Sequence, residues 1–354
     1  MAVRPGGREA EVFNDHIFAE LRAYAQVPDD FVNDGWSLDS LKNGGGKGGG
    51  LMAKVRDTYI VKELKKGDHK VLLELAASYG VHVRGGETLL CPIYLHFRDI
   101  ESGRYFFAVR NGVGEGPFAG VYDLKGCADD KTIVRDDKVI PAVHKRIWKV
   151  GMWVNKSGWS EERRRYYDGK VAARSLRVEM TSEQKVKFEQ CIKRDTEWLT
   201  RHRIMDYSLL LAIKREPVSS ASRGGGSGPS TLGQRPWVRK DPDKGEVVLY
   251  LSIIDFLQAW TVGKTVAMGI KVMERNKATV PPAAYGKRFL RHFTQNVMVC
   301  SSSIQASNGP TAWPEAVAPP AGDCEVEGKP EERLNSRPMR EEHHVDDQEG
   351  RASL

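Results

Sequence analysis

The chain has 354 residues, 40% of them hydrophobic and 29% charged, and 54 Lys and Arg outweigh 47 Asp and Glu to give a formal net charge of +7. That length and apolar content allow a sizeable core and fit two lobes of one domain better than several modules. No apolar run approaches the ~20 residues that span a bilayer, the opening Met-Ala-Val-Arg-Pro-Gly offers no secretory h-region or myristoylation glycine, and five scattered cysteines contain no C-x-x-C, so a soluble cytosolic chain with reduced thiols and no zinc is expected.

In chain order, Glu11 to Ala25 has the apolar spacing of an amphipathic helix. Six glycines around Lys47 then lead into Leu51–Val55 and, after a turn at Arg56 and Asp57, Thr58–Glu63, which reads as a glycine-rich hairpin with Lys62 at the end of its second strand. Lys65 to Tyr79 reads as a helix ended by Gly80. Leu89–Phe97 and Tyr105–Val109 read as antiparallel strands joined at Glu101-Ser102-Gly103. Lys145 to Arg174 mixes five Trp and Tyr with basic residues; a lipid contact and an enlarged core are both open, the core slightly favoured. Ser182 to His202 is a helix that Ser182 could cap, and Val247–Ile254 is a strong strand. Pro217 to Lys244 and Ser301 to Leu354 are too polar to offset chain entropy and are expected to be disordered. The segment from Ser301 carries eleven acidic and five basic side chains, which leaves +13 on the preceding 300 residues. A basic body suits an anionic membrane or nucleic acid, but no nucleic-acid motif accompanies it, so lipid ranks higher.

Two segments place single carboxylates inside apolar runs: Ile204-Met205-Asp206-Tyr207-Ser208-Leu209-Leu210 and Ser252-Ile253-Ile254-Asp255. A buried carboxylate costs several kcal/mol unless paired or metal-bound. Phosphoryl transfer is the economical reason for two, with one aspartate orienting the attacking hydroxyl and the other holding Mg²⁺ on nucleotide phosphates. It also requires a loop and a lysine for the phosphates, which Gly46, Lys47, Gly48 and Gly49 followed by Lys62 could supply through backbone N–H groups and an ammonium. A flexible linker is the competing reading of the glycines.

The motifs Ile60-Val61-Lys62, Tyr122-Asp123-Leu124-Lys125-Gly126-Cys127, Met205 to Leu210 and Ile253-Ile254-Asp255, in this order, resemble those of the phosphatidylinositol phosphate kinases. Phe18 to Arg22, Thr88 to Pro92, Val109-Arg110-Asn111, Lys193-Arg194-Asp195 and Tyr285 to Phe289 add weaker matches, so the similarity spans about residues 11–295. The resemblance implies an α+β fold in two lobes, distantly protein-kinase-like, with an antiparallel N-lobe sheet and a mixed C-lobe. Residues 217–244 would be an insertion in that domain and 301–354 an acidic tail.

The implied activity is transfer of the ATP γ-phosphate to an inositol-ring hydroxyl of a phosphatidylinositol monophosphate, with phosphatidylinositol 4-phosphate 5-kinase first. A 4-kinase acting on phosphatidylinositol 5-phosphate and a catalytically weak phosphoinositide-binding pseudokinase are the alternatives. ATP and Mg²⁺ are the implied cofactors. Lys62 and Lys125 would bind nucleotide phosphates, Asp206 would position the hydroxyl, Asp255 would hold the metal, and Arg110 and Asn111 would frame the base. Cys127 stands where the family has serine and removes a hydroxyl donor. Lys264, Lys271, Arg275 and Lys277, interleaved with apolar residues after Asp255, would dock the activation loop on an anionic membrane, although an ordinary amphipathic helix explains them equally. The enzyme would then sit peripherally on the cytoplasmic membrane surface, bind no nucleic acid, and be compatible with a homodimer. The protein-kinase motifs H-R-D-x-x-x-x-N and D-F-G are absent, which disfavours a protein substrate.

Overall fold

A computed structural model describes residues 4–33, 35–43, 50–56, 58–113, 116–143, 158–216, 236–241, 245–260 and 280–300, without the side chains of 43, 216, 240 and 241. Two six-stranded sheets organise them. The first has the order β1-β5-β6-β4-β3-β2, built from Ala10–Val12 (β1), Lys42–Asn43 (β2), Leu51–Val55 (β3), Tyr59–Leu64 (β4), Ile93–Asp99 (β5) and Tyr105–Arg110 (β6), every pair antiparallel. Helices α1 (Asp15–Tyr24) and α2 (Lys66–Arg84) pack against it. Most of β5 is buried on both faces, which is why it reads as a continuous apolar run.

The second sheet has the order β12-β13-β11-β7-β8-β9, again antiparallel, from Gly120–Leu124 (β7), Lys131–Arg135 (β8), Lys138–Val139 (β9), Ser208–Glu216 (β11), Trp237–Asp241 (β12) and Gly245–Ile254 (β13). Helix α3 (Glu161–Arg174) lies on β8, while α4 (Ser182–Arg201) packs against α5 (Pro282–Arg291). Val178–Met180 (β10) and Met298–Cys300 (β14) form a parallel pair beside α4. This is the α+β architecture with an antiparallel first sheet that the sequence predicts; the C-lobe is mixed in its helices and strands.

Several boundaries differ from expectation. Residues 10–12 form an edge strand on β5, so α1 begins at Asp15. Helix α2 runs through Gly80 to Arg84, because a Cβ at Gly80 would lie 2.6 Å from the Ile17 side chain: the glycine lets α1 and α2 approach and terminates nothing. Thr181, not Ser182, caps α4, in a reciprocal capping box with Gln184. Within the stretch 217–244, expected to lack structure, Trp237–Asp241 is a strand, held by its ladder to β13 rather than by its own composition. In the Trp-rich stretch, Trp159 is buried with its ring edge-on to Tyr167, 5.1 Å between centroids, which favours the core reading for that tryptophan; Trp148 and Trp153 lie outside the described residues. Residues 301–354 also lie outside them.

The first sheet conceals a histidine pair. His96 is fully buried on β5, its Nε2 is 2.9 Å from His69 Nδ1 on α2, and His69 stacks on Tyr105 at 3.8 Å. Burial, then His69, pushes His96 down from 6.5 to about 3, and burial lowers His69 as well. The folded state therefore holds a neutral ring where the unfolded chain would take up a proton below pH 6.5, so stability is complete above that pH and falls as pH drops toward 3. At pH 5 the loss from His96 amounts to about 2 kcal/mol. Urea unfolding at pH 7.5 and 5.0 should show this loss in the native chain and a smaller one in His69→Leu/His96→Leu. Parallel pH dependences would refute it.

The segment between α2 and β5 crosses from one sheet to the other. Ile253 N–H donates to Leu89 O at 2.6 Å and Cys91 N–H donates to Ile253 O at 2.9 Å, a short parallel bridge onto β13. From α4 the fully buried Asp195 carboxylate accepts from Leu89 N (2.6 Å), Thr88 Oγ1 (2.7 Å) and His82 Nε2 (2.7 Å). The return crossing follows β6, where a Cβ at Gly112 would lie 2.9 Å from Ser252 Cβ; only glycine fits against β13 there.

Candidate active site

Strand register brings the predicted residues to one end of the second sheet. Leu124 on β7 pairs with Leu209 on β11, and Ser208 pairs with Ile254 on β13. Lys125 just after β7, Asp206 just before β11 and Asp255 just after β13 therefore emerge from the same edge. The two aspartate turns are also laced together: Met205 N–H donates to Gln258 O at 3.0 Å and Trp260 N–H to Arg203 O at 2.8 Å.

Both aspartates occupy the left-handed region, with φ 65° at Asp206 and 59° at Asp255. Short polar side chains tolerate this conformation better than others, yet such residues cluster at functional sites. Asp136 and Asp137 share it for a plainer reason, since they form the two-residue turn between β8 and β9. No hairpin turn demands it at Asp206 or Asp255.

Each aspartate holds a lysine. Lys62, inside β4 of the first sheet, donates from Nζ to Asp255 Oδ1 at 3.0 Å and so joins the two sheets. Lys125 Nζ donates to Asp206 O at 2.9 Å and to the Asp206 carboxylate. The Asp255 side chain is half exposed and that of Asp206 part-buried, so neither is the fully buried carboxylate that its apolar run suggests. What desolvation there is would raise the Asp255 carboxyl, but Lys62, helped by Lys125 and Lys131, holds it below its ordinary value. The result is two ammonium and two carboxylate groups converging between the sheets.

This donor set fits a nucleotide with Mg²⁺. Ammonium groups neutralise phosphate oxygens, and Mg²⁺ takes one or two carboxylates together with phosphates rather than a cage of protein ligands. Among the described residues no group of three or more His, Cys, Asp or Glu comes together.

The other predicted residues are placed as follows. Arg110 and Asn111 stand at the return crossing, where Arg110 N–H donates to Pro92 O at 3.0 Å and Asn111 N–H to Thr58 O at 2.6 Å. Asn111 Oδ1 also accepts from Val113 N at 3.4 Å, so part of its capacity serves the local turn. Lys125 pairs with Asp206 and not with its neighbour Asp123, which pairs with Lys131 across β7 and β8 at 2.8 Å. Gly46, Lys47, Gly48 and Gly49, and the membrane candidates Lys264, Lys271, Arg275 and Lys277, lie outside the described residues.

Lys131 was not anticipated. It adds positive charge beside Asp255, and burial, which would lower it, is outweighed by Asp123 and its neighbours, so its ammonium is held above its ordinary value. Its signal was the Asp123 carboxylate in an apolar strand, which calls for a cationic partner. Cys127, at the family's serine position, is buried, and burial pushes its thiol up.

Residues 37–235 and 227–296 match the family described as Phosphatidylinositol-4-phosphate 5-Kinase. The chain belongs to the phosphatidylinositol phosphate kinases. Among the relatives of this phosphatidylinositol phosphate kinase, phosphatidylinositol 5-phosphate 4-kinase type-2 gamma of Danio rerio is 24% identical over 347 residues, covering 83% of this chain and 78% of that one. Phosphatidylinositol 4-phosphate 5-kinase 3 of Arabidopsis thaliana is 22% identical, covering 74% of this chain and 41% of its own length. Phosphatidylinositol 4-phosphate 5-kinase 4 of the same plant is 28% identical over 221 residues, 58% of this chain and 25% of that one. The chain thus spans less than half of either plant kinase. Relatives named for opposite isomers establish a phosphoinositide kinase without choosing the hydroxyl.

Proposed function

We propose that this chain transfers the γ-phosphate of ATP to the 5-hydroxyl of phosphatidylinositol 4-phosphate. The observation that carries the transfer chemistry is the convergence of Lys62–Asp255 and Lys125–Asp206 between the two sheets. Lys62 and Lys125 exchange their carboxylate partners for phosphate oxygens when nucleotide enters. Asp206, at the mouth of β11, orients the ring hydroxyl and accepts its proton. Asp255 offers its carboxylate to Mg²⁺, whose charge would offset that of the phosphates. Catalysis then rests on positioning and electrostatics. Support for the 5-kinase comes from the matched family's description and from the two plant relatives, whereas the relative covering most of this chain is a 4-kinase.

The same reading places the enzyme peripherally on the cytoplasmic membrane surface. Its support is the +13 borne by the first 300 residues, since each basic residue near an anionic leaflet is worth about 1 kcal/mol. The test is ATP- and Mg²⁺-dependent phosphorylation of liposomes containing phosphatidylinositol 4-phosphate or 5-phosphate. Bisphosphate from the 4-phosphate liposomes is expected. Product from the 5-phosphate alone makes the chain a 4-kinase, and lipid binding without product from either makes it a pseudokinase.

A further inference from the structure

Behind Lys125 lies a buried carboxylate that the proposed reaction does not use. Asp130 is 1% exposed, and its Oδ1 accepts from Lys125 N at 2.6 Å and Cys127 N at 3.3 Å. Its own N–H donates to Cys127 O at 3.1 Å and closes the turn. Two N–H groups converging on one oxygen form a backbone nest, and the nest's anion here comes from the chain itself. The turn depends on Gly126, whose φ of 70° is left-handed and where a Cβ would lie 3.0 Å from His292 Cβ. His292 Nε2 stands 3.8 Å from Asp130 Oδ2, and Lys170 on α3 donates to Asp130 O at 3.2 Å. Asp130 is thus gripped by α3 and by the segment following α5, while its own grip is on the backbone of Lys125.

We propose that Asp130 is a positioning residue for Lys125: its carboxylate fixes the 125–127 turn in the geometry that delivers the Lys125 ammonium to Asp206. This rests on the role given to Lys125 in the proposed reaction. A turn needing only closure would be served by the Asp130 N–H to Cys127 O bond. The additional bond to Lys125 N fixes the direction in which its side chain leaves the backbone. A misplacement of about 1 Å at such a group can cost about 10²-fold in rate.

The test compares Asp130→Ala, Asp130→Asn and Asp130→Glu, alone and with Lys125→Ala, by kcat, the KM for ATP, Tm and the rate at which an amine-acylating reagent modifies Lys125, followed by mass spectrometry. Asp130→Ala should lower kcat about 10- to 100-fold and speed Lys125 acylation severalfold. Asp130→Asn, whose oxygen can accept the same two N–H bonds, should rescue both to within about fivefold. Asp130→Glu keeps the charge but is a methylene too long, so it should remain less active than Asn and covers the case in which Ala does not fold. In the Lys125→Ala background, Asp130→Ala should cost little more. Equal losses with and without Lys125, or native kcat and acylation in both Ala and Glu variants, would overturn the proposal. If the native chain phosphorylates neither lipid, the proposed reaction falls, and the acylation rates still decide whether Asp130 positions Lys125.

Discussion

Asp206→Asn should lower kcat by about 10²- to 10⁴-fold while leaving the KM for ATP within a few fold, because that is what a positioned acid or base contributes. Asparagine is nearly the same size as aspartate and tolerates the left-handed backbone of position 206, so the turn is preserved. What changes is the charge: the amide offers a weaker acceptor to the ring hydroxyl and to the Lys125 ammonium. Lys62 and Asp255, which face the nucleotide in this reading and pair with each other, are left unchanged. The loss should therefore fall on the chemical step. Steady-state kinetics on phosphoinositide liposomes, with Tm as the control for folding, decide the matter. A kcat within tenfold of native would reduce Asp206 to a residue of the turn.

Asp206 and Asp255 stood out because each is a carboxylate in an apolar run, and Lys62 because it follows a glycine cluster where phosphoryl transfer calls for a lysine. Strand register, also readable as alternating apolar runs, then places Asp206 and Asp255 at one sheet edge. Gly80 misled because a glycine in a helical pattern ordinarily marks a stop, and only the position of Ile17 shows that it serves packing. The strands Ala10–Val12 and Trp237–Asp241 are invisible locally, since each owes its conformation to one long neighbour. Asp130 was hidden for a different reason. Its partners are backbone N–H groups, which every residue but proline has, so sequence gives no sign of the bond. Asp195 was read only as part of a helix, because its role depends on residues about a hundred positions earlier.

Asp195 also carries the largest expected effect on stability. Asp195→Ala should destabilise the fold by about 3–5 kcal/mol, because it leaves three buried donors without their acceptor and each such group costs about 1–3 kcal/mol. The substitution strands His82 Nε2, Thr88 Oγ1 and Leu89 N, all within the core beneath the crossing segment. Thr88 Oγ1 still accepts from Leu90 N at 3.1 Å, so one part of the network survives. Against a total stability of about 5–15 kcal/mol the loss is large, and for a domain of this size it corresponds to a Tm lower by about 10 °C. Asp195→Asn should fall between the two, since its oxygen can replace one acceptor while its NH₂ meets another donor. The effect should reach the site as well. Leu89 and Cys91 are bonded to Ile253, two residues before Asp255, so loosening the crossing releases the strand end that presents that carboxylate. Well below the new Tm, Asp195→Ala should therefore lose kcat in addition to stability. Urea unfolding and kinetics at 15 °C separate the two effects: a destabilisation below 1 kcal/mol would mean that water satisfies the stranded groups, and native kcat in a destabilised variant would confine Asp195 to the core.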